Sequence, residues 1–282
     1  MANLKVSFYG VRGSIATPGM ASLKYGGNTP CVYIEANPDF HLVLDAGTGI
    51  VSLGEKLAND DKPIYLLLSH NHWDHIQGFP FFRPAYQAGR EINIIPGNTK
   101  PFQGDAILAQ MSATTFPVSA KQLAANIRLL EFQDLAETIR LGDLIISRKQ
   151  LNHPQSGSAY LLKVKGRSFG YCTDNELCSP DNCFTSLSEW RHFFQGIDLL
   201  IHDAQYVPND FPMKSGWGHS SYQEVVELAL AAEVKHLCLF SHDHRRTDDE
   251  IEDMLVKVNR QVEIAGSELK ITVAREQETI VL

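Results

Sequence analysis

The chain has 282 residues, 44% of them hydrophobic, which is enough to form a large buried core. A net charge of -8 disfavours a protein that binds nucleic acid through a broad basic surface, because such surfaces need clustered Lys and Arg. The longest apolar runs, such as residues 64–68, have the length of a strand and fall well short of a membrane span.

Hydrophobic periodicity and turn residues divide the chain into short strands and amphipathic helices. In chain order, strands are predicted near 4–9, 31–36, 41–45, 64–69, 91–96, 137–150 (a hairpin turning at Gly142-Asp143), 158–164, 168–173, 198–203, 236–241 and 269–274. Helices are predicted near 48–58, 104–112, 186–194, 220–232 and 247–259. Two helix starts carry capping signals, namely Ser220 or Ser221 with Glu224, and Thr247 before the acidic residues 248–250.

No stretch has the composition of a linker, a repeat or a low-complexity tail, so we expect a single domain over residues 1–282. Strand-rich halves with helices interleaved in each predict an α/β protein. In this arrangement two sheets pack face to face and the helices cover their outer surfaces.

The N-terminus and the cysteines both favour a cytoplasmic protein. Met1–Lys5 leads directly into an alternating segment, so we predict no signal peptide. The five cysteines are odd in number and scattered, which fits reduced thiols better than a disulfide framework. Cys178 and Cys183 are close enough in sequence to hold a metal together, but no second pair accompanies them, and we favour free thiols.

The segment His70-Asn71-His72-Trp73-Asp74-His75 carries the strongest chemical signal, because it directly follows a strongly apolar predicted strand. Alternate positions of an extended segment point to the same side, so His70 and His72 can chelate one ion. The following turn then directs Asp74 and His75 towards a second. Imidazole and carboxylate together suit zinc, iron or manganese. A solvated loop rarely gathers four potential ligands in six residues after a buried strand.

Further donors follow apolar strands later in the chain: His153, Asp174 and His242. Taken singly, each is as well explained by structure, because Asp in a strand-end turn and His beside Pro are ordinary. Their shared position at strand ends makes all three candidates for the same site.

The order of these residues resembles that of the metallo-β-lactamase superfamily over nearly the whole chain. The resemblance implies an αββα sandwich, the metallo-β-lactamase fold, with two divalent ions, zinc foremost, or else manganese or iron. The implied ligands are His70, His72 and His153 for one ion, Asp74, His75 and His242 for the other, and Asp174 for both. A water or hydroxide between the ions is the implied nucleophile, because coordination lowers the pKa of water towards neutrality.

Three motifs are similar to those of the phosphodiesterase branch, which includes ribonuclease Z and class II-type cyclic-nucleotide phosphodiesterases. They are Tyr25-Gly26-Gly27-Asn28-Thr29, His202-Asp203-Ala204-Gln205-Tyr206 and Gly216-Trp217-Gly218-His219-Ser220-Ser221. The resemblance implies that an acidic residue pairs with a histidine over the metals.

Asp203 can orient His219 and favour its imidazolium form, which would bind a phosphoryl oxygen or protonate the leaving alkoxide. Asp74, Asp203 and His219 are therefore the candidate catalytic residues. If these positions are purely structural, His219 merely flanks a helix and Asp203 forms a strand-end turn.

Between the metal motif and His153 we find the segment Gly97–Pro101 and predicted helix, but no long basic arm of the kind that ribonuclease Z uses to clamp transfer RNA. With the acidic balance, this favours a small phosphodiester, such as a cyclic nucleotide, over transfer RNA 3'-end cleavage. The same ligand pattern would also suit a thioester or lactone hydrolase, or a metal-bearing sensor. The sequence leaves open a homodimer, and also whether Arg12, Arg245 or Arg246 contacts the substrate.

Overall fold

The computed structural model describes residues 4–97, 106–130 and 138–282. Its strands are β1 (Lys5–Gly10), β2 (Cys31–Glu35), β3 (His41–Leu44), β4 (Ile64–Leu67), β5 (Glu91–Ile95), β6 (Asn126–Leu129), β7 (Thr138–Leu141), β8 (Leu144–Gln150), β9 (Ser158–Val164), β10 (Arg167–Cys172), β11 (Leu199–Asp203), β12 (His236–Phe240), β13 (Lys270–Val273) and β14 (Thr279–Val281). Its α-helices are α1 (Ile50–Leu57), α2 (Trp73–Ile76), α3 (Ala106–Ala109), α4 (Leu187–Phe193), α5 (Tyr222–Ala231) and α6 (Asp248–Ile264).

The described strands form two seven-stranded sheets. The first has the order β14-β1-β2-β3-β4-β5-β6, and the second has the order β13-β12-β11-β10-β9-β8-β7. In each sheet one part is antiparallel and the other is parallel, with β3 to β6 parallel in the first and β10 to β13 parallel in the second. Parallel neighbours need crossover connections, and α1, α4, α5 and α6 lie in those connections.

Apolar side chains separate the sheets and helices into layers. Phe8 and Leu44 of the first sheet share one buried cluster with Tyr171 and Ile201 of the second. Helix α1 packs in a second cluster on the outer face of the first sheet, and α4, α5 and α6 pack in a third on the outer face of the second. The predicted αββα sandwich is therefore confirmed.

The predicted elements agree with the observed ones to within a few residues, with three additions. The sequence did not predict β6, β14 or the short helix α2. Ser221, and not Ser220, caps α5 together with Glu224, and the Thr247 cap of α6 is confirmed. Helix α3 is shorter than the predicted 104–112, and α6 continues beyond 259 to Ile264. Residues 98–101, 104–105 and 137, which also carried predictions, lie outside the described residues.

Several strands end at one common edge of the sandwich, because parallel strands point the same way. Asp45 follows β3, Asp174 lies just beyond β10, and Ser241 follows β12. Each has a left-handed backbone, with φ of 60°, 50° and 56°. Residues other than glycine seldom adopt this conformation, and such strain is concentrated at functional sites.

Candidate metal centre

Four of the predicted ligands meet at this edge. His70, His72, His153 and Asp174 each offer one atom, and these atoms lie within 4.8 Å of one another. Nε2 of His153 lies 3.0 Å from Nδ1 of His72, and Nε2 of His70 lies 3.5 Å from Oδ2 of Asp174. Three of the side chains are buried, whereas His72 is half-buried and marks the side open to solvent.

A second group contains Asp74, His75 and Asp174, whose ligand atoms also lie within 4.8 Å of one another. Nε2 of His75 lies 3.2 Å from Oδ2 of Asp174 and 3.4 Å from Oδ2 of Asp74. Asp174 therefore belongs to both groups, and the family resemblance implies that it is a ligand of both ions.

His242 lies in neither group. Its side chain is buried, and its Nε2 donates a hydrogen bond to the carbonyl oxygen of Ala274 at 2.9 Å. No described residue gives its Nδ1 a hydrogen-bond partner. The backbone of His242 is linked to the site, because Gly13 donates to its carbonyl and the next residue, Ser14, donates its N–H to Asp74. The expected role of His242 as a ligand stays a prediction.

The charges of the first group suit a cation. Burial lowers the pKa of His70 well below its usual value and that of His153 to about 3. Burial raises the pKa of Asp174, but His75 and His219 outweigh this and hold it well below the usual range. The group thus combines neutral imidazoles with an ionised carboxylate, the donor set that zinc and related metals bind.

The charge of His75 is set by its neighbours. Burial lowers its pKa, but Asp74 and Asp174 raise it well above the usual value. A proton on His75 therefore offsets part of the carboxylate charge, and an ion bound there would take its place.

Asp45 contacts His75 of the His/Asp cluster, and the sequence did not predict this residue as part of the site. It is fully buried and accepts hydrogen bonds from the Ser69 backbone N–H at 2.6 Å, from Nδ1 of His75 at 2.9 Å and from the Tyr171 hydroxyl at 2.7 Å. A carboxylate that accepts from one ring nitrogen directs the other towards the ion. The sequence placed Asp45 inside the predicted strand 41–45, whereas β3 ends at Leu44 and leaves Asp45 at the strand end, where the other candidates also lie.

Asp203 and His219 form a buried pair beside the cluster. Nδ1 of His219 lies 3.2 Å from Oδ1 of Asp203, and the Ser220 backbone N–H donates to Oδ2 at 2.8 Å. One ligand atom each of Asp174, Asp203 and His219 lies within 4.8 Å of the others. His219 thus lies beside Asp174 of the His/Asp cluster, as well as close to the start of α5.

The pair is ionised near neutral pH. Burial raises the pKa of Asp203 to about 6. Burial lowers the pKa of His219, but Asp203 and Asp174 outweigh this and raise it to about 9. Between these two values the carboxylate faces an imidazolium, which can donate a proton or a hydrogen bond.

The three arginines considered as phosphate contacts have different environments. Arg12 is fully buried, and its guanidinium donates to the carbonyl oxygens of Gly26 at 2.8 Å and Arg246 at 2.6 Å, and to Asp248 at 3.3 Å. These hydrogen bonds link separate loops, so Arg12 has a structural role. Arg245 is exposed, and Arg246 is half-buried, with its guanidinium 3.9 Å from the Asp210 carboxylate.

Two mixed sheets with outer helices and a His/Asp cluster at one edge are the arrangement of the metallo-β-lactamase fold. Residues 41–242 match the family model described as Beta-lactamase superfamily domain. The chain therefore belongs to this superfamily, as the resemblance predicted, and it is a metal-dependent hydrolase.

The relatives have low identity to this chain. Ribonuclease Z of Brevibacillus brevis is 32% identical over 90 residues, which cover 29% of this chain and 28% of that protein. Ribonuclease Z of Picrophilus torridus is 21% identical over 290 residues, which cover 88% of each. The structure of unliganded yeast PDE1 superposes over 100% of both chains with a TM-score of 0.70 and 14% identity. Because the identity is only 14%, the similarity to yeast PDE1 shows only that the two proteins share a fold.

In residues 4–97, 106–130 and 138–282, no helix is both long enough and apolar enough to cross a membrane. All five cysteines are free thiols, as predicted, and Cys178 and Cys183 are exposed.

Proposed function

We propose that this protein is a phosphodiesterase that acts on a small phosphodiester, such as a cyclic nucleotide, with the help of two divalent ions. The observation that carries the proposal is the buried Asp203–His219 pair beside Asp174. A thioester hydrolase has less need of a strong proton donor there, because the thiolate that it expels is a much better leaving group than a sugar alkoxide.

The residues present fit two ions, zinc foremost. His70, His72 and His153 would hold one, Asp74, His75 and His242 the other, and Asp174 both. Two buried nitrogens without a hydrogen-bond partner among the described residues, Nε2 of His70 and Nδ1 of His242, support this fit. When bound, the ions supply Lewis acidity and lower the pKa of a water so that it can attack phosphorus.

Side chains of the protein would protonate or stabilise the leaving oxygen. Because Nδ1 of His219 faces Asp203, Nε2 is the nitrogen that remains for the substrate. It would donate its proton to the departing alkoxide or a hydrogen bond to a phosphoryl oxygen. Asp203 keeps the imidazole charged and oriented, and Asp45 keeps His75 oriented.

Transfer RNA 3'-end cleavage is the second candidate, since relatives of this chain are named ribonuclease Z. It would use the same site. The net charge of -8 favours the small substrate, because RNA binding relies on phosphate contacts from Lys and Arg.

A substrate panel tests the proposal with zinc-loaded or manganese-loaded protein. The panel contains bis(p-nitrophenyl) phosphate, cyclic nucleotides, a transfer RNA precursor with a 3' trailer, a phosphomonoester, a thioester, a lactone and a β-lactam. We expect the small diesters to be turned over with the highest kcat/KM. Faster cleavage of the precursor RNA would select the second candidate, and faster thioester or lactone turnover would refute both.

A further inference from the structure

The carboxylate of Glu176 is buried two residues after Asp174, with only 3% of the residue exposed. It accepts the backbone N–H of Gly216 at 2.9 Å and 3.0 Å, through its two oxygens, and the backbone N–H of Gly218 at 3.0 Å. A buried carboxylate is costly unless hydrogen bonds compensate it. Here those bonds fix a loop, Gly216–Gly218, that leads directly to His219.

The same loop touches a proposed metal ligand. The carbonyl oxygen of Gly218 accepts a hydrogen bond from Nδ1 of His153 at 2.8 Å. Gly218 has a φ of 86°, and a Cβ there would lie only 2.0 Å from that nitrogen. No residue but glycine fits this close approach. With the proton on Nδ1, Nε2 of His153 is left as the acceptor nitrogen that faces the cluster.

The segment after Asp174 also holds the His153 loop from its other side. The backbone N–H of Asn152 donates to the Asn175 side chain at 2.9 Å, and the N–H of Glu176 donates to the carbonyl of Asn152 at 3.0 Å. The His153 loop thus hydrogen-bonds to residues 175–176 and, through Gly218, to the Glu176 carboxylate.

We propose that Glu176 is a positioning residue for His153. Its carboxylate fixes the Gly216–Gly218 loop, and the carbonyl of Gly218 then sets the tautomer and ring orientation of His153. The inference rests on the metal site of the proposed function and not on the substrate.

Loss of Glu176 should affect one of the two ions selectively. His153 shares its group with His70, His72 and Asp174, whereas the group of Asp74, His75 and Asp174 does not include it. Removing a group that orients a ligand typically costs about 10- to 100-fold in metal affinity. A loss of general stability would instead weaken both ions.

The test is zinc titration of chelator-stripped protein in competition with a chromophoric chelator, which resolves two dissociation constants. Glu176→Ala should raise one constant by about 10- to 100-fold and leave the other within a few-fold. Glu176→Gln should show a smaller loss, because one oxygen still accepts while its amide N–H opposes a backbone N–H. Gly218→Ala should weaken the same ion, since the added Cβ would displace His153.

Glu224→Ala is the matched control. The Glu224 carboxylate also accepts a backbone N–H, that of Ser221 at 2.9 Å, but its hydrogen bonds cap α5 and do not reach the His153 loop. Both zinc constants should stay at their wild-type values in this variant. Circular dichroism checks the fold of each variant, and Glu176→Gln carries the test if Glu176→Ala does not fold.

Unchanged zinc affinities in the Glu176 variants, or an equal loss at both sites, would overturn the proposal. Because zinc binding is measured directly, this outcome is separate from the proposed function. A protein that binds zinc as expected but hydrolyses no diester would refute the phosphodiesterase assignment alone.

Discussion

In the proposed reaction His219 is the proton donor, and Asp203 keeps its imidazole charged and oriented. His219→Ala should lower the rate far more for a diester with a poor leaving group, such as a cyclic nucleotide, than for an activated aryl diester. A nitrophenolate departs without a proton, whereas a ribose alkoxide needs one. A general acid therefore contributes about 10²- to 10⁴-fold only in the second case. Steady-state kinetics on both substrates measure the difference.

Zinc content is the internal control for this variant, because His219 is proposed to lie outside the set of ligands. Equal slowing of both substrates would make His219 a phosphate anchor instead of a proton donor. Unaltered rates for both substrates would mean that His219 takes no part in the reaction and only flanks α5.

Some residues of the candidate site could be predicted from the sequence, and others could not. The proposed ligands between His70 and His75 lie within six residues, so their spacing alone predicted a metal site. His153 and Asp174 are far away in sequence, and only their strand-end positions and the family resemblance joined them to it. Asp45 and Glu176 were missed because their partners, a histidine ring and two backbone N–H groups, are brought to them only by the fold.

At the scale of elements, the two missed strands lie at the two edges of the first sheet. An edge strand has one neighbour, and residues of β6 and β14 alternate between exposed and half-buried, so their apolar signal is weak. The edge strand β7 has the same pattern but was predicted. The Gly142-Asp143 turn that follows β7 is a hairpin signal in the sequence, and this signal led to the prediction of the strand. In the structure Gly142 has a φ of 58°, a conformation that glycine favours.

Helix α6 offers a test of an element that contributes no residue to the His/Asp cluster. The Thr247 side chain accepts the N–H of Glu250 at 3.3 Å, and the Glu250 carboxylate accepts the N–H of Thr247 at 2.7 Å. Thr247→Ala should cost about 1 kcal/mol in the free energy of unfolding, because one N–H at the helix start loses its acceptor. Urea denaturation measures the change, and kcat should stay at the wild-type value.

Thr247→Ser keeps the hydroxyl and serves as the comparison for that cap. It should retain most of the stability that Thr247→Ala loses. An equal loss in both variants would mean that the threonine methyl group, and not the cap, stabilises this end of α6.

At the scale of the whole molecule, the proposed site draws on distant parts of the chain, from Ser14 to His219, and would also include His242. The parallel blocks of both sheets place their carboxyl ends at one edge, and the apolar layer between the sheets holds the two halves together. The unfolded chain therefore contains no preformed site, and ion binding and folding are thermodynamically linked.

Removal of the ions should consequently lower the melting temperature. An ion at 100 times its Kd stabilises the folded state by about 2.7 kcal/mol. For a chain of this size that corresponds to about 5 °C per ion. Wild-type protein should contain two zinc ions by metal analysis, and chelation should lower its melting temperature by about twice this amount.

Asp74→Ala removes a ligand of one proposed ion. This variant should contain one zinc, its melting temperature should fall about half as much on chelation, and it should retain its circular dichroism spectrum. Its turnover should fall by orders of magnitude, since attack on phosphorus would need both ions. A fully active wild-type preparation with a single zinc, or equal chelation shifts in the two proteins, would contradict the two-ion site.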